Sequence, residues 1–310
     1  MNTPCASPSD PAPQLVDKAP AWKVSPANGK YFVNSVAVSA DGGRVVGGTF
    51  YHVYGATESR RKPTTPPATP HKTASPGDGT FGTYCYNASG QLQWKDEFSG
   101  WQGVYWVAVS ADGTRAASGG LMTQNPQAGF VRAYDASNGT LLLNQATQER
   151  VNQVALSSDG SWLVSAAETL ILFSYNATTG AYVQSDVFTP PPPPPGNWNG
   201  IVSTAISADG MTVLFADYNG NIGVFANTAG KLVAKAHWKV PGGGKSDFCH
   251  MLDLTPDGTA FAAGGASGNF YLFAVAQFFA GGQPTYSYGT GLNEAVYCVA
   301  VASTGAMSAG

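Results

Sequence analysis

A short apolar strand followed by an Asp-Gly turn recurs along this chain, and it constrains the fold more than any other feature. "VAVSADGG" at Val36 returns as "VAVSADGT" at Val107, "VALSSDGS" at Val154, "TAISADGM" at Thr204 and "LDLTPDGT" at Leu252. A fainter copy, "VAVASTGA", begins at Val299. The turn aspartates are Asp41, Asp112, Asp159, Asp209 and Asp257, and Thr304 takes their place in the last copy. They are separated by 71, 47, 50, 48 and 47 residues, so one period of about 48 holds and the first step carries about 24 extra residues. Fixed periods of this length mark repeat architectures, whose units bury their faces against one another.

Within one period four short strands alternate with turns. From Val104 they read "VYWVAVS", "TRAASGG", "GFVRAYD" and "TLLLNQ", bounded by Gly, Asn and Asp. Four strands in such a period make one blade of a β-propeller. A helical repeat would need runs of about ten or more residues at a 3.6 period, and none occurs. The expected fold is therefore all-β: a propeller of four-stranded blades, five complete and one partial. It forms a single domain over 21–310, after a disordered Pro-rich tail at 1–20, with an inserted loop at about 52–79.

Aligned first strands carry Val33, Val104, Val151, Ile201, Cys249 and Val296 eight residues before the turn position. Three residues before it stand Val38, Val109, Leu156, Ile206, Leu254 and Val301. Ala37, Ala108, Ala155, Ala205 and Ala300 recur between, with Asp253 the exception. Both strand faces are apolar or small, as expected of innermost strands in blades packed face to face. Asp-Gly supplies the tight turn, Gly taking positive φ without strain. "AWKV" around Trp22 matches "HWKV" around Trp238, each tryptophan 19 residues ahead of its next turn aspartate, and Trp94 lies 18 ahead of its own. Trp22 is thus expected on the outer strand of a blade completed from the C-terminal end, closing the ring and removing exposed sheet edges. That reading implies a longer natural chain and six or seven blades, with seven favoured.

The repeat resembles the WD-repeat and quinoprotein-like β-propellers, and more closely their bacterial relatives with an "S-x-DG" turn in each blade. The resemblance covers about residues 22–310 and implies the propeller fold. The Gly-His and Trp-Asp dipeptides of WD repeats are missing. "YNASGQLQW" at Tyr86–Trp94 resembles the outer-strand motif of quinoproteins, but "YDASNGTLL" and "YNATTGAYV" lack its tryptophan. Quinoproteins hold calcium and a cofactor; no matching ligand cluster stands out, and no cofactor or metal is expected.

Charged residues make up only 11% of the chain, against the roughly 25% usual for soluble domains. A net charge of −3 argues against nucleic acid as partner. No apolar run is long enough for a transmembrane segment. The N-terminus lacks the basic start and apolar core of an intact signal peptide, while low charge and abundant Ser, Thr and Asn favour an exported or periplasmic protein, so the compartment stays open. Cys5, Cys85, Cys249 and Cys298 form no CxxC pair and read as buried thiols. The sequons at Asn87, Asn138 and Asn176 fall at or beside one repeat turn, which accounts for them.

The long insertions at about 52–79, at Thr189 ("TPPPPPPGNWNG"), Pro241 ("PGGGKSD") and Phe278 ("FFAGGQPTYSYGTGLNEA") belong to loop classes that share one face of a propeller. One elaborated face on a rigid scaffold is where binding resides. Seven residues before the turn position, near the channel mouth, stand Asn34, Tyr105, Asn152, Val202, His250 and Tyr297. This ring serves either a ligand or the ordinary capping of strand ends. The candidate binding residues are Asn34, Tyr105, Asn152, Trp198, His250, Asp253 and Tyr297. No HExxH, GxSxG or P-loop occurs, so no catalytic residue is assigned. The expected function is a non-enzymatic, protein-binding scaffold or accessory subunit that uses the looped face. The alternative is an extracytoplasmic enzyme, or a sugar- or small-ligand-binding propeller, using the channel near Asp253 and His250.

Overall fold

The computed structural model describes residues 20–24, 32–50, 80–99, 103–124, 127–195, 200–241, 249–266, 268–289, 295–302 and 307–309. The tail up to Ala19, the inserted loop at 52–79 and Trp198 lie outside the described residues. The described chain is all-β apart from one short helix. Unit one comprises β1 (Phe32–Val38), β2 (Arg44–Phe50), β3 (Thr80–Asn87) and β4 (Leu92–Ser99). Unit two comprises β5 (Gly103–Val109), β6 (Arg115–Gln124), β7 (Gln127–Asp135) and β8 (Leu141–Thr147). Unit three follows with β9 (Gln153–Leu156), β10 (Trp162–Ala166), β11 (Leu170–Asn176) and β12 (Ala181–Phe188). Unit four holds β13 (Ile201–Ile206), β14 (Thr212–Asp217), β15 (Asn221–Thr228) and β16 (Lys231–Lys239). Unit five holds β17 (Cys249–Leu254), β18 (Ala260–Gly265), β19 (Asn269–Ala274), the helix α1 (Val275–Gly281) and β20 (Tyr286–Gly289). β21 (Val299–Val301) and β22 (Met307–Ala309) begin a sixth.

Each of the five units is an antiparallel four-stranded meander. One pair, Phe50 with Gly103, also joins β2 to β5, so the first two sheets run into each other instead of standing apart. Gly103 permits this approach, since a Cβ there would lie 2.5 Å from the Thr49 carbonyl oxygen. The segment from Phe278 is not simply a connection between units. α1 replaces the tight turn between the third and fourth strands, and β20 is the outer strand of unit five. Phe278 is fully buried against Phe261 and Phe273, which anchors the helix.

First strands of consecutive units lie side by side, β1 with β5, β5 with β9, β9 with β13, β13 with β17 and β17 with β21. Their apolar positions pack on small residues of the preceding unit. The Cγ1 atoms of Val104 and Val107 sit over Gly48, those of Val151 and Val154 over Gly119, and those of Val296 and Val299 over Gly264. These valines are almost wholly buried, whereas their counterparts on β1, Val33 and Val36, are 48% and 57% exposed. Repeated four-stranded sheets stacked this way are compatible with a β-propeller.

The Asp-Gly turns share one hydrogen-bond scheme. In unit one the Ser39 hydroxyl donates to the Asp41 carboxylate and accepts the Arg44 N–H, and Asp41 accepts the Gly43 N–H. Ser110–Asp112, Ser157–Asp159, Ser207–Asp209 and Thr255–Asp257 repeat the pattern. The turns are also chained through backbone: Ala40 N–H donates to Ala111, Asp112 to Ser158, Ser158 to Ala208 and Ala208 to Pro256. A second stitch runs along the outer strands. Trp94 on β4 donates its indole N–H to Ala136 O of unit two and packs on Tyr134 and Gly139, while Asp96 receives Arg132 and Tyr134. Trp22 makes the same contacts with unit one, donating to Ala88 O at 3.0 Å and lying on Tyr86 and Gly90. Of the cysteines, Cys85 and Cys249 are buried, and burial pushes the Cys85 thiol up to about 11. Cys298 is exposed, against the expectation of a buried thiol, because it lies on the segment entering β21 rather than between two sheets. Among the described residues no helix is long and apolar enough to cross a membrane.

Candidate functional site

The first strands enter their sheets through a β-bulge. Register shifts fall between Val33 and Ser35, Val104 and Trp106, Ile201 and Ser203, and Cys249 and Met251. The extra residue is the one seven before the turn position: Asn34, Tyr105, Val202 and His250. A bulge leaves its residue out of the ladder and re-aims the side chain. Repeated bulges therefore set a row of side chains at the end of the units opposite the Asp-Gly turns, where second strands also end and third strands begin.

At this end the described side chains of four consecutive units touch. The Asn34 amide donates to Tyr105 O at 2.6 Å. The Tyr105 ring packs edge-on against Phe50 at the end of β2 and lies under the Arg150 guanidinium, 4.2 Å from its carbon. Arg150 Nε donates to Asn152 Oδ1 at 2.9 Å, and Nη2 reaches the Tyr218 hydroxyl at 3.4 Å. The buried Asn152 completes its own amide by donating to Ile201 O at 2.8 Å.

Each of these groups is held from behind. The connection 148–150 is pinned by Glu168, whose carboxylate accepts the N–H groups of Gln148 and Glu149 at 3.1 Å each. Burial first, and then the neighbouring Glu168, raise the Glu149 carboxyl above its usual value. Tyr218 sits on the β14–β15 turn, which the buried Asp217 closes by accepting the N–H groups of Asn219 and Asn221. Burial raises the Tyr218 phenol, so it stays a neutral hydroxyl. Beside this turn a cleft of about 430 Å³ opens between units three and four, floored by Phe188, Phe215 and Phe225 and rimmed by Pro191, Lys235 and His237.

Three of the sequence candidates, Asn34, Tyr105 and Asn152, thus come together. Tyr297 stands exposed on the segment before β21. His250 occupies a bulge of β17, with its side chain outside the described residues, and Trp198 lies outside them altogether. Asp253 is committed to the fold: its carboxylate accepts the Val301 N–H at 2.7 Å and so ties β17 to β21, and burial raises it above the usual carboxylate value. Ser35 and Ser203 make the same kind of bridge to Val107 N–H and Leu252 N–H, so the acid at this alanine position joins a set of links between first strands. Arg150, Tyr218 and Phe50 were not found from sequence. Arg150 lies two residues before Asn152, but its stack on Tyr105 crosses from unit three to unit two, and no repeat position predicts it.

Among the described residues no group of three or more His, Cys, Asp or Glu side chains could hold a metal ion. No protein-family model matches this sequence, and a comparison with curated proteins gives no significant match.

Proposed function

We propose that this chain is a β-propeller that binds a protein partner through the face where its first strands begin, acting as a scaffold or accessory subunit. The observation that supports this reading is the contact chain Asn34–Tyr105–Arg150–Asn152–Tyr218, which joins four units at one end of the sheets. Aromatic rings, an arginine and amides are the groups that carry protein recognition. The same groups include no nucleophile with a base beside it, so binding is the chemistry they supply.

The propeller reading rests on first strands lying innermost, and ring closure on Trp22. Its contacts with unit one match those of Trp94 with unit two, as an outer strand of a preceding blade would make them, although residues 21–24 themselves form no strand. In a closed ring of seven blades that blade covers Val33 and Val36, removing from water apolar side chains whose counterparts are buried almost completely.

The test is recovery of a stoichiometric partner from native extract. Wild-type protein and a Thr114→Glu variant, altered at the Asp-Gly turns of the opposite face, retain it, and Tyr105→Ala loses it. Retention by a folded Tyr105→Ala protein would place the binding surface elsewhere.

A further inference from the structure

Arg150 has more hydrogen-bonding capacity than the described residues use. A guanidinium carries five N–H donors in one plane. The Nε–H goes to Asn152 and one Nη2–H toward Tyr218. The remaining donors are both on Nη1 and the second on Nη2, and one hydrogen from each Nη makes up the end-on edge of the fork. Among the described residues no acceptor takes them, and no carboxylate forms an ion pair with Arg150. The rest of the side chain is fixed. Tyr105 stacks on its plane, Asn152 sets its rotation and is itself anchored on Ile201, and Glu168 clamps the connection that carries it. A fork held this way meets a planar acceptor without first being ordered, which is the condition for tight bidentate recognition.

Resting on the face assignment above, we infer that the open edge of Arg150 receives a carboxylate of the partner, from an acidic side chain or a chain terminus. The charge balance selects this group. The contact chain holds one cation, and the nearby Glu168 carboxylate is already engaged by the N–H groups of Gln148 and Glu149. One carboxylate matches one fork, whereas a phosphate dianion brings a second negative charge with no second cation to meet it. The amide of Asn34 lies next along the contact chain and supplies a neutral donor for a peptide backbone beside the acid.

The experiment uses the full chain and three capped peptides: acetyl-Gly-Glu-Gly-amide, its Gln counterpart, and acetyl-Gly-Gly-Gly with a free carboxylate. The Arg150 Nε–H resonance of the wild-type protein is followed by NMR, and affinities are taken from the titrations. The Glu peptide or the free-carboxylate peptide shifts that resonance and binds at least about tenfold tighter than the Gln peptide, in keeping with a hydrogen bond to a charged group. Which of the two does so identifies the source of the acid. Arg150→Met abolishes the difference, and Arg150→Lys, which keeps the charge but not the fork, retains only part of it. Equal shifts by the Gln peptide, no shift by either acid, or undiminished binding to an Arg150→Met protein with a wild-type melting curve would each overturn the inference. Partner recovery that is lost in Tyr105→Ala while the peptides have no effect overturns the carboxylate inference alone and leaves the face assignment standing.

Discussion

The recurring serine of the "S-x-DG" turn has a purpose that strand patterning does not reveal. Its hydroxyl closes the loop by holding both the aspartate and the N–H that starts the second strand, as Ser157 does with Asp159 and Trp162. Removing it leaves a partly buried N–H without an acceptor, so Ser157→Ala costs about 1–2 kcal/mol in a urea unfolding titration. The turn carboxylates also set the acid limit of stability. Asp41 is lowered by the Ser39 hydroxyl and then by the Gly43 N–H, and Asp257 by the Thr255 hydroxyl and then by the Thr259 N–H. A lowered folded pKa contributes stability above the unfolded value, and that stability is lost as pH falls through the folded value. Unfolding midpoints therefore decline as the solution is acidified below the ordinary 3.8 of an aspartate. Asp253 has the opposite sign, because burial raises it. Asp253→Asn keeps an acceptor for the Val301 N–H and no charge to desolvate. It raises the midpoint at neutral pH, and the gain disappears on acidification, where the wild-type carboxyl is neutral too.

At the scale of the elements, units are joined at three places. Valines meet glycines beside the first strands, backbone bonds chain the turns, and tryptophans lie across the third-to-fourth turns of the next unit. Gly139 shows how close the last contact is: its φ is +78°, and a Cβ would lie 2.9 Å from the Trp94 ring. Gly139→Ala strains the backbone and displaces the indole together, a loss of at least about 1 kcal/mol. Trp94 is 8% exposed, and Trp94→Ala costs about 3–5 kcal/mol. The bulges belong to this scale as well. Apolar residues eight, five and three before the turn share one face, and the step of three followed by a step of two is the trace a bulge leaves in an otherwise alternating strand.

For the whole molecule the question is whether the sheets close into a ring over β1. Val36 and Val107 hold the same repeat position, one 57% and the other 2% exposed. In a closed ring both are buried, and Val36→Asn and Val107→Asn each cost about 2 kcal/mol or more. If β1 stays open to water, Val36→Asn leaves the unfolding midpoint unchanged while Val107→Asn lowers it. The pair thus measures closure independently of any partner.

The strands, their turns and the period were legible in the sequence because each depends on neighbours within a few residues: alternating apolar positions, Asp-Gly at the bend, a serine two residues before the aspartate. The row containing Asn34, Tyr105 and Asn152 was legible for the same reason, as a position in the repeat. What those residues touch was decided by the tertiary structure. Arg150 lies in a connecting segment and becomes part of the site only because packing unit three on unit two sets its guanidinium over Tyr105, while unit four brings Tyr218 to its other side. Asp253 stood out in the sequence only as an acid in an alanine position, open to an amide, a cation or channel water; that it accepts the Val301 N–H, 48 residues away, was decided by the packing. Local periodicity specifies each sheet, but contacts between sheets depend on how far each is rotated against the next, and no single period carries that information.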